Sequence, residues 1–245
     1  MRVLSRDVPA HEGETVTVAG WVHRIRELGS VSFVVLRDRS GILQIVYEGK
    51  VEQTLESVIE VTGACAANEK APGGFEVRAA ETKLLARAEP DLPLSVNGSL
   101  DEVSLDALLD HRLVSLRNPK VRHIFHVQSE IIRAFGEFMR SEDFTEIKTS
   151  KLIGTGTEGG TGLFEVQYFE DSVYLAQSPQ FYKQAMVASG LERVFEIGTA
   201  YRAEKHDTPR HLNEYVSLDV EMGFIESEND LMDIEVRILA SIFEA

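Results

Sequence analysis

Alternation of polar and apolar residues dominates the first third of the chain. From Thr15 to Ile25 the two kinds change places around Val16, Val18 and Val22, the period of a strand with one buried face. Val31 to Leu36 and Ile42 to Tyr47 continue the pattern, joined by the turn Asp38-Arg39-Ser40-Gly41. Two more strands are predicted near Val58 to Ala66 and Phe75 to Leu85, divided by the loop Glu69-Lys70-Ala71-Pro72-Gly73-Gly74. So many short strands in so little chain suit a small closed barrel, with a plain antiparallel sandwich left open on pattern alone.

The period changes further on. Ala88 to Ser104 carries Pro90, Pro93, Asn97 and Gly98 with little periodicity and reads as a connector between domains. Val121, Ile124, Phe125, Ile131, Ile132, Phe135, Phe138 and Met139 then recur at helical spacing, which predicts a helix from Pro119 to Ser141. That stripe is wide for a helix packed only on its own domain, so ordinary core and a helix shared across a dimer interface both stay open. Arg193 to Thr199 and Val216 to Phe224 are strand-like runs flanking a long polar loop, the pattern of a hairpin. A last helix starts near Asn229 and is still periodic at Ile238, Leu239, Ile242 and Phe243. No Gly or Pro terminates it, and the chain reads as cut short. Strands first, then mixed strands and helices, place the chain in the α+β class.

Charge and cysteine usage narrow the setting. The formal net charge of −15 at first argues against a nucleic-acid partner, but the acidity is concentrated after residue 90. In the nearly neutral first part Arg24, Arg26, Arg37 and Arg39 lie close together, opposed only by Glu27 and Asp38. A locally basic face on an acidic protein is compatible with nucleic acid. The single cysteine, Cys65, cannot form an internal disulfide and reads as a small buried hydrophobe. No apolar run approaches the roughly 18–20 residues that span a bilayer, and the first residues lack the apolar core of a signal peptide. A cytoplasmic protein is expected.

The hairpin loop from Tyr201 to Tyr215 holds the densest candidate chemistry: Arg202, Glu204, Lys205, His206, Arg210 and His211 between two tyrosines. Guanidinium forks match phosphate oxygens bidentately, and an aromatic ring can stack on a base. Such a loop can hold a nucleotide; a surface hairpin with solvated charges is the plain alternative. Gly154-Thr155-Gly156-Thr157-Glu158-Gly159 formally matches G-x-G-x-x-G, but Gly160-Thr161-Gly162-Leu163-Phe164 does not start a helix, which the dinucleotide fingerprint requires at that point. A glycine-rich loop that brings Glu158 to an ammonium group fits better. Gln177 to Gln184 reads as a turn and then a helix with Pro179 in its first turn, so Gln180 and Lys183 share a face. Lys183 there offers charge to an anionic ligand, against the alternative of one more solvated lysine. His123 and His126 lack a third partner at metal-site spacing, so no zinc site is predicted.

Tyr201-Arg202-Ala203-Glu204, the basic loop, and His211-Leu212-Asn213-Glu214-Tyr215 resemble motif 2 of the class II aminoacyl-tRNA synthetases, in detail the archaeal-type aspartyl-tRNA synthetases. Gly20 to Gly29, with Phe33, Leu36 to Gly41 and Gln44, looks like that family's OB-fold anticodon-binding domain. Leu116-Arg117-Asn118-Pro119 and the long helix through Phe144 to Ile147 look like motif 1, which builds a homodimer interface in the family. Thr157-Glu158-Gly159-Gly160 resembles the loop that closes over aspartate, and Gln177 to Gln184 the amino-acid-binding segment. Two features depart. Ser150 stands where motif 1 usually ends in proline, losing a fixed φ. Motif 3 and the later carboxylates that hold magnesium have no counterpart.

The resemblance implies an OB-fold β-barrel over 1–88, a connector over 89–118, and an incomplete class II antiparallel-sheet catalytic domain with motifs 1 and 2 over 119–245. It implies ATP-dependent activation of L-aspartate and its transfer to tRNA(Asp), with tRNA(Asn) left open as a second acceptor, by a homodimer with no membrane association. Arg202, Glu204, Arg210, His211, Leu212 and Tyr215 are expected at ATP, the first three as catalytic groups. Glu158, Ser178, Gln180, Lys183 and Asp219 are expected at aspartate, and Arg26, Phe33, Gln44 and Glu76 at the anticodon. Mg2+ is expected with ATP, held by the family's later carboxylates rather than by residues present here. Asparaginyl-tRNA synthetases share the scaffold, but a neutral amide does not need a buried cation such as Lys183. A non-catalytic tRNA-binding paralogue is the rival of a different class.

Overall fold

The alternation of the first ninety residues is realised as β1 (Thr15–Leu28), β2 (Val31–Arg37), β3 (Ile42–Glu48), β4 (Val58–Ala67) and β5 (Phe75–Ala86). They close into a barrel in the order β1-β2-β3-β5-β4, antiparallel except for β3 against β5. Closure removes the exposed edges that a sandwich would keep. Val18, Val22, Val34, Leu36, Ile45, Ile59, Val61 and Val77 fill the interior, and Val8 joins them from the 3-10 segment Ser5–His11. Each contributes about 1.5–3 kcal/mol of burial. Cys65 is buried among them, and burial pushes its thiol up, as suits a packing residue. Glycine is required at Gly20 and Gly63, where a Cβ would overlap the carbonyl oxygens of Arg37 and Arg78 on the neighbouring strands.

A bulge between Val22 and Arg24 breaks the register of β1 against β2. Val22 points inward, and beyond the bulge Arg24 and Arg26 point outward. The β2–β3 turn is organised by Asp38, whose Oδ1 accepts the N–H groups of Ser40 at 2.7 Å and Gly41 at 3.1 Å. Its Oδ2 accepts the Ser5 N–H at 2.7 Å, which ties the N-terminal segment to the barrel. Burial would raise the Asp38 carboxyl, but these bonds from Ser40 and Ser5 hold it below the usual carboxylate range.

The structure is a computed structural model and describes residues 1–156, 162–206, 208 and 211–245. It divides into two units, Met1–Arg122 and His123–Ala245. In the first unit two short helices, α1 (Leu105–Asp110) and α2 (Arg112–Ser115), form inside the stretch expected to be connector. Ser104 starts α1 by accepting the Ala107 N–H at 3.2 Å. The connector is bonded to the barrel rather than free: Thr54 Oγ1 donates to the Ala88 carbonyl at 2.6 Å, and Ser57 Oγ accepts the Ala88 N–H at 3.1 Å. Glu56, 2 % exposed, accepts Arg37 Nη2 at 2.8 Å and Nη1 at 3.2 Å, and also Arg117 Nη1 at 3.3 Å.

The long helix α3 runs over Pro119–Ser141, the span that periodicity predicts. Then come β6 (Thr145–Glu146), β7 (Leu152–Ile153), β8 (Glu165–Tyr168), β9 (Asp171–Leu175), α4 (Gln180–Met186), β10 (Arg193–Tyr201), β11 (Glu214–Met222) and α5 (Glu228–Glu244). One sheet has the order β11-β10-β6 and a smaller one β7-β9-β8. Phe135 and Met139 of α3 and Ile234 of α5 pack on Phe144 and Phe195, with Ile197, Leu218, Val220 and Met222 against them. The apolar stripe of α3 therefore divides: its C-terminal half is core, whereas Ile124 and Val127 are 62 % and 58 % exposed. A capping box of Ser227 and Asp230 fixes the start of α5. Among the described residues no helix is long and apolar enough to cross a membrane.

Candidate active site and nucleic-acid face

Period-two alternation sorts the β10–β11 hairpin into two faces. Phe195, Ile197, Leu218, Val220 and Met222 turn toward the helices. The residues between them turn the other way, in cross-strand pairs: Val194 with Glu221, Glu196 with Asp219, Gly198 with Ser217 and Ala200 with Tyr215. Asp219 and Tyr215, expected from sequence at two different ligands, share this face.

At the loop end Arg202, Glu204, His211, Leu212 and Tyr215 line one pocket of about 500 Å3. The Arg202 guanidinium carbon lies 5.7 Å from the Tyr215 ring centroid, within cation–π range. Its Nε is buried and has no hydrogen-bond partner among the described residues. A buried orphan donor is costly, and an anion's oxygen would relieve it. Asn213 sets the backbone here: its carbonyl accepts the Arg202 N–H at 2.9 Å and its Oδ1 accepts the Glu204 N–H at 3.1 Å. Sequence reasoning does not single out Asn213, although an Asn between His211 and Glu214 at a strand start is the residue type that bridges backbone groups. His211 Nδ1 lies 2.6 Å from Thr208 Oγ1. Arg210 lies outside the described residues.

Helix α4 inverts the usual amphipathic order. Lys183 is 6 % exposed, while Phe181 and Tyr182 are 55 % and 38 % exposed; apolar residues would ordinarily take the inner face. The buried ammonium donates to Asp219 Oδ1 at 3.0 Å and lies 3.8 Å from Glu221 Oε2. Lys183 is thus not one more solvated lysine, the plain alternative from sequence. It is shared between two carboxylates of the sheet face, because a buried charge needs partners. Glu221, which has no role on sequence grounds, belongs to this cluster. Gln180, one turn earlier, lies on the same side of α4, and its N–H donates to Ser178 Oγ at 3.3 Å. Glu158 and the rest of its loop, Thr157 to Thr161, lie outside the described residues.

Beside this cluster Glu196, 1 % exposed, accepts the Thr149 N–H at 2.9 Å, Thr149 Oγ1 at 2.7 Å and Lys151 Nζ at 3.1 Å. Ser150 sits between those two anchored residues. Side-chain bonds to a buried carboxylate hold the segment that a proline would have stiffened.

The barrel's outer face carries two rows across β1, β2, β3 and β5. One is Arg24, Val35, Gln44 and Glu76; the next is Arg26, Phe33, Val46 and Arg78. Phe33 is half-buried, lies outside the barrel core, and lines a groove of about 650 Å3 with Tyr47, Asn68, Glu76 and Arg78. Core filling, the plain reading of Phe33, is excluded by that position. Gln44 and Glu76 meet directly, Gln44 Nε2 donating to Glu76 Oε2 at 3.0 Å. The basic cluster differs from its sequence outline. Arg37 is 3 % exposed and bound to Glu56, whereas Arg78, two residues beyond Glu76 on the same face, joins Arg24 and Arg26.

The family model for class II tRNA synthetases (D, K and N) matches residues 104–245. The chain belongs to that family. A model for the OB-fold nucleic acid binding domain matches residues 16–85. The chain is 49 % identical to the aspartate–tRNA(Asp/Asn) ligase of Deinococcus radiodurans over 99 % of its own length and 56 % of that ligase. It is 47 % identical to the ligase of the same name from Methanopyrus kandleri over 96 % of its length and 57 % of the relative. The crystal structure of asparaginyl-tRNA synthetase from Pyrococcus horikoshii with asparaginyl-adenylate superposes with a TM-score of 0.92 at 30 % identity, covering 100 % of this chain and 58 % of that one. The chain therefore spans somewhat over half the length of the relatives it matches. Among its described residues no group of three or more His, Cys, Asp or Glu is arranged to hold a metal ion, so they do not fit a dedicated magnesium site.

Proposed function

We propose that the chain is part of an aspartate–tRNA ligase that activates L-aspartate with ATP and transfers the aspartyl group to tRNA(Asp) and tRNA(Asn). The observation that carries this reading is the polar face of the hairpin. Arg202, whose buried Nε has no partner among the described residues, and Tyr215 stand at one end, and the Lys183–Asp219–Glu221 cluster lies farther along the same face. That face has a place for a nucleotide and a place for an anionic amino acid.

In the first step an α-carboxylate oxygen of aspartate bonds to the α-phosphorus of ATP as pyrophosphate leaves. Such a transfer needs positioning and charge neutralisation more than an acid–base pair. Arg202 holds the α-phosphate, Arg210 and His211 the outer phosphates, Tyr215 and Leu212 the adenine, and Glu204 orients it. Lys183 meets the side-chain carboxylate of aspartate, while Glu158, Ser178, Gln180 and Asp219 surround its ammonium group. In the second step a ribose hydroxyl of the tRNA's terminal adenosine attacks the aspartyl carbonyl and AMP leaves. Mg2+ accompanies ATP, and no described residue is assigned to it. Arg26, Phe33, Gln44 and Glu76 bind the anticodon on the barrel. The exposed N-terminal half of α3 supports a homodimer, and the protein works in the cytoplasm.

Asparagine is the competing substrate. The ligase names of the two relatives favour aspartate. ATP–pyrophosphate exchange by the full-length protein tests the choice. Aspartate-dependent exchange is expected, and exchange that depends on asparagine alone overturns it.

A further inference from the structure

Glu76 is one of the few buried carboxylates of the barrel, 5 % exposed, and it opens on the groove beside Phe33. Its two oxygens are treated differently. Oε2 accepts both Gln44 Nε2 at 3.0 Å and Asn68 Nδ2 at 2.6 Å, while Oε1 has Arg78 Nε beside it at 3.5 Å. Asn68 is itself held on all sides. Its Oδ1 accepts the Lys70 N–H at 3.0 Å, its N–H donates to the Gly74 carbonyl at 2.8 Å, and its carbonyl accepts the Ala71 N–H at 2.9 Å. These contacts also fix which way the amide points. The Lys70 N–H needs an acceptor and the carboxylate needs a donor, so the oxygen must face Lys70 and the nitrogen Glu76.

We infer that Asn68 is a positioning residue that sets the Glu76 carboxylate to accept the Watson–Crick edge of a guanine in the anticodon. The inference rests on the anticodon reading of the barrel proposed above. With Oε2 occupied by two amides, Oε1, with Arg78 Nε 3.5 Å away, is left as the acceptor-only oxygen of a carboxylate that lines the groove. Guanine is the standard base with two adjacent N–H donors on that edge, N1–H and the 2-amino group. Adenine and cytosine place an acceptor beside their amino group, and uracil has a single donor between two carbonyls. Single-stranded bases are read along such edges while an aromatic ring stacks on their faces, and Phe33 lies across the same groove. Without the Asn68 amide the Glu76 side chain loses one of its two fixed bonds and can turn Oε2 or neither oxygen to the base.

The test uses the full-length protein with tRNA transcripts in which an anticodon guanine is kept or replaced by inosine, which lacks the 2-amino group, or by adenine. Asn68→Asp keeps the acceptor for Lys70 and sets a second carboxylate against Glu76; Asn68→Ala removes the donor along with that acceptor. In both, the KM for the guanine transcript is expected to rise about tenfold, in line with one lost base contact, with kcat little changed. Preference for guanine over inosine and adenine should shrink. Asn68→Ala should add nothing once Glu76→Gln is present, and aspartate-dependent pyrophosphate exchange without tRNA should stay at wild-type level in the Asn68 variants. Undiminished guanine preference, effects that add to those of Glu76→Gln, or exchange falling together with charging overturns the role of Asn68. A wild-type enzyme indifferent to the three transcripts instead overturns the anticodon reading itself.

Discussion

Replacing Lys183 by alanine separates a structural role from a chemical one. The Lys183 and Asp219 side chains are 7 % and 13 % exposed and 3.0 Å apart, with Glu221 at 3.8 Å and 26 % exposed. Removing one partner of a buried pair costs about 3–5 kcal/mol. The two carboxylates keep some access to water, so the expected loss of stability is nearer about 3 kcal/mol. In the proposed reaction the same ammonium meets the substrate's side-chain carboxylate. Its loss there should cost a similar amount, roughly a hundredfold in kcat/KM for aspartate. Urea unfolding and ATP–pyrophosphate exchange with titrated aspartate, both on the full-length protein, read the two effects independently. Adding Asp219→Asn to Lys183→Ala relieves one stranded charge, so stability should partly return while exchange stays low. Near-normal aspartate-dependent exchange in the single variant refutes the assignment of Lys183 to the substrate. An unchanged unfolding midpoint refutes the buried pair.

Arg202→Lys is expected to lower kcat/KM for ATP by more than about tenfold, because an ammonium cannot reproduce a guanidinium fork on phosphate; a smaller loss in exchange kinetics places Arg202 outside the transition state. Phe33→Ala should weaken tRNA charging about tenfold through lost base stacking, leaving tRNA-independent adenylate formation intact, since the ring lies outside the barrel core; an equal fall in both activities contradicts this. Glu56 gives a pH signature. Burial would raise its carboxyl, but His23, Arg37 and Arg117 outweigh that and hold it below its usual 4.5. A depressed folded value contributes stability that is complete above the unfolded value and lost as pH falls through the folded one. Wild type should therefore lose stability on acidification below about 4.5 faster than Glu56→Gln, and parallel acid limbs in the two unfolding-against-pH curves would count against it.

The sequence is most legible where one period runs unbroken. The five strands of the first unit, the span of α3 and the β10–β11 hairpin follow from alternation and helical spacing alone, since burial on one face dictates both, whereas closure of the strands into a barrel rather than a sandwich does not. Legibility fails where a local feature resets the phase. The bulge after Val22 sends Arg24 and Arg26 outward, and a strict alternation carried through from Val16 would send them in. Arg37 resembles part of a basic face because proximity in sequence says nothing about which face a strand residue takes. Its partner Glu56 sits in the β3–β4 connection with φ of 65°, a conformation that no hydrophobic pattern encodes. The helices α1 and α2 escape notice because they are too short to show a period. Among site residues, Arg202, Glu204, His211, Leu212 and Tyr215, expected together from the resemblance to motif 2, line one pocket. Asn68, Asn213 and Glu221 are not legible, because each acts through another side chain or backbone group and so leaves no signature at its own position.

Charge shows the same dependence on partners. A net of −15 looks hostile to RNA when counted along the chain, yet several of the carboxylates are bound internally. Glu56 is bound by Arg37 and Arg117, Glu196 by Lys151 and Thr149, Asp219 by Lys183, and Glu76 by two amides. Meanwhile Arg24, Arg26 and Arg78 stand outward on adjacent rows of one barrel face. Screening limits the reach of more distant surface charge to about a Debye length, near 8 Å in physiological salt. What an approaching strand of nucleic acid meets is therefore set by the local face, not by the sum. In the proposed function the acidic remainder would weaken non-specific adhesion of nucleic acid, while the arginines and Phe33 keep one local face open to it.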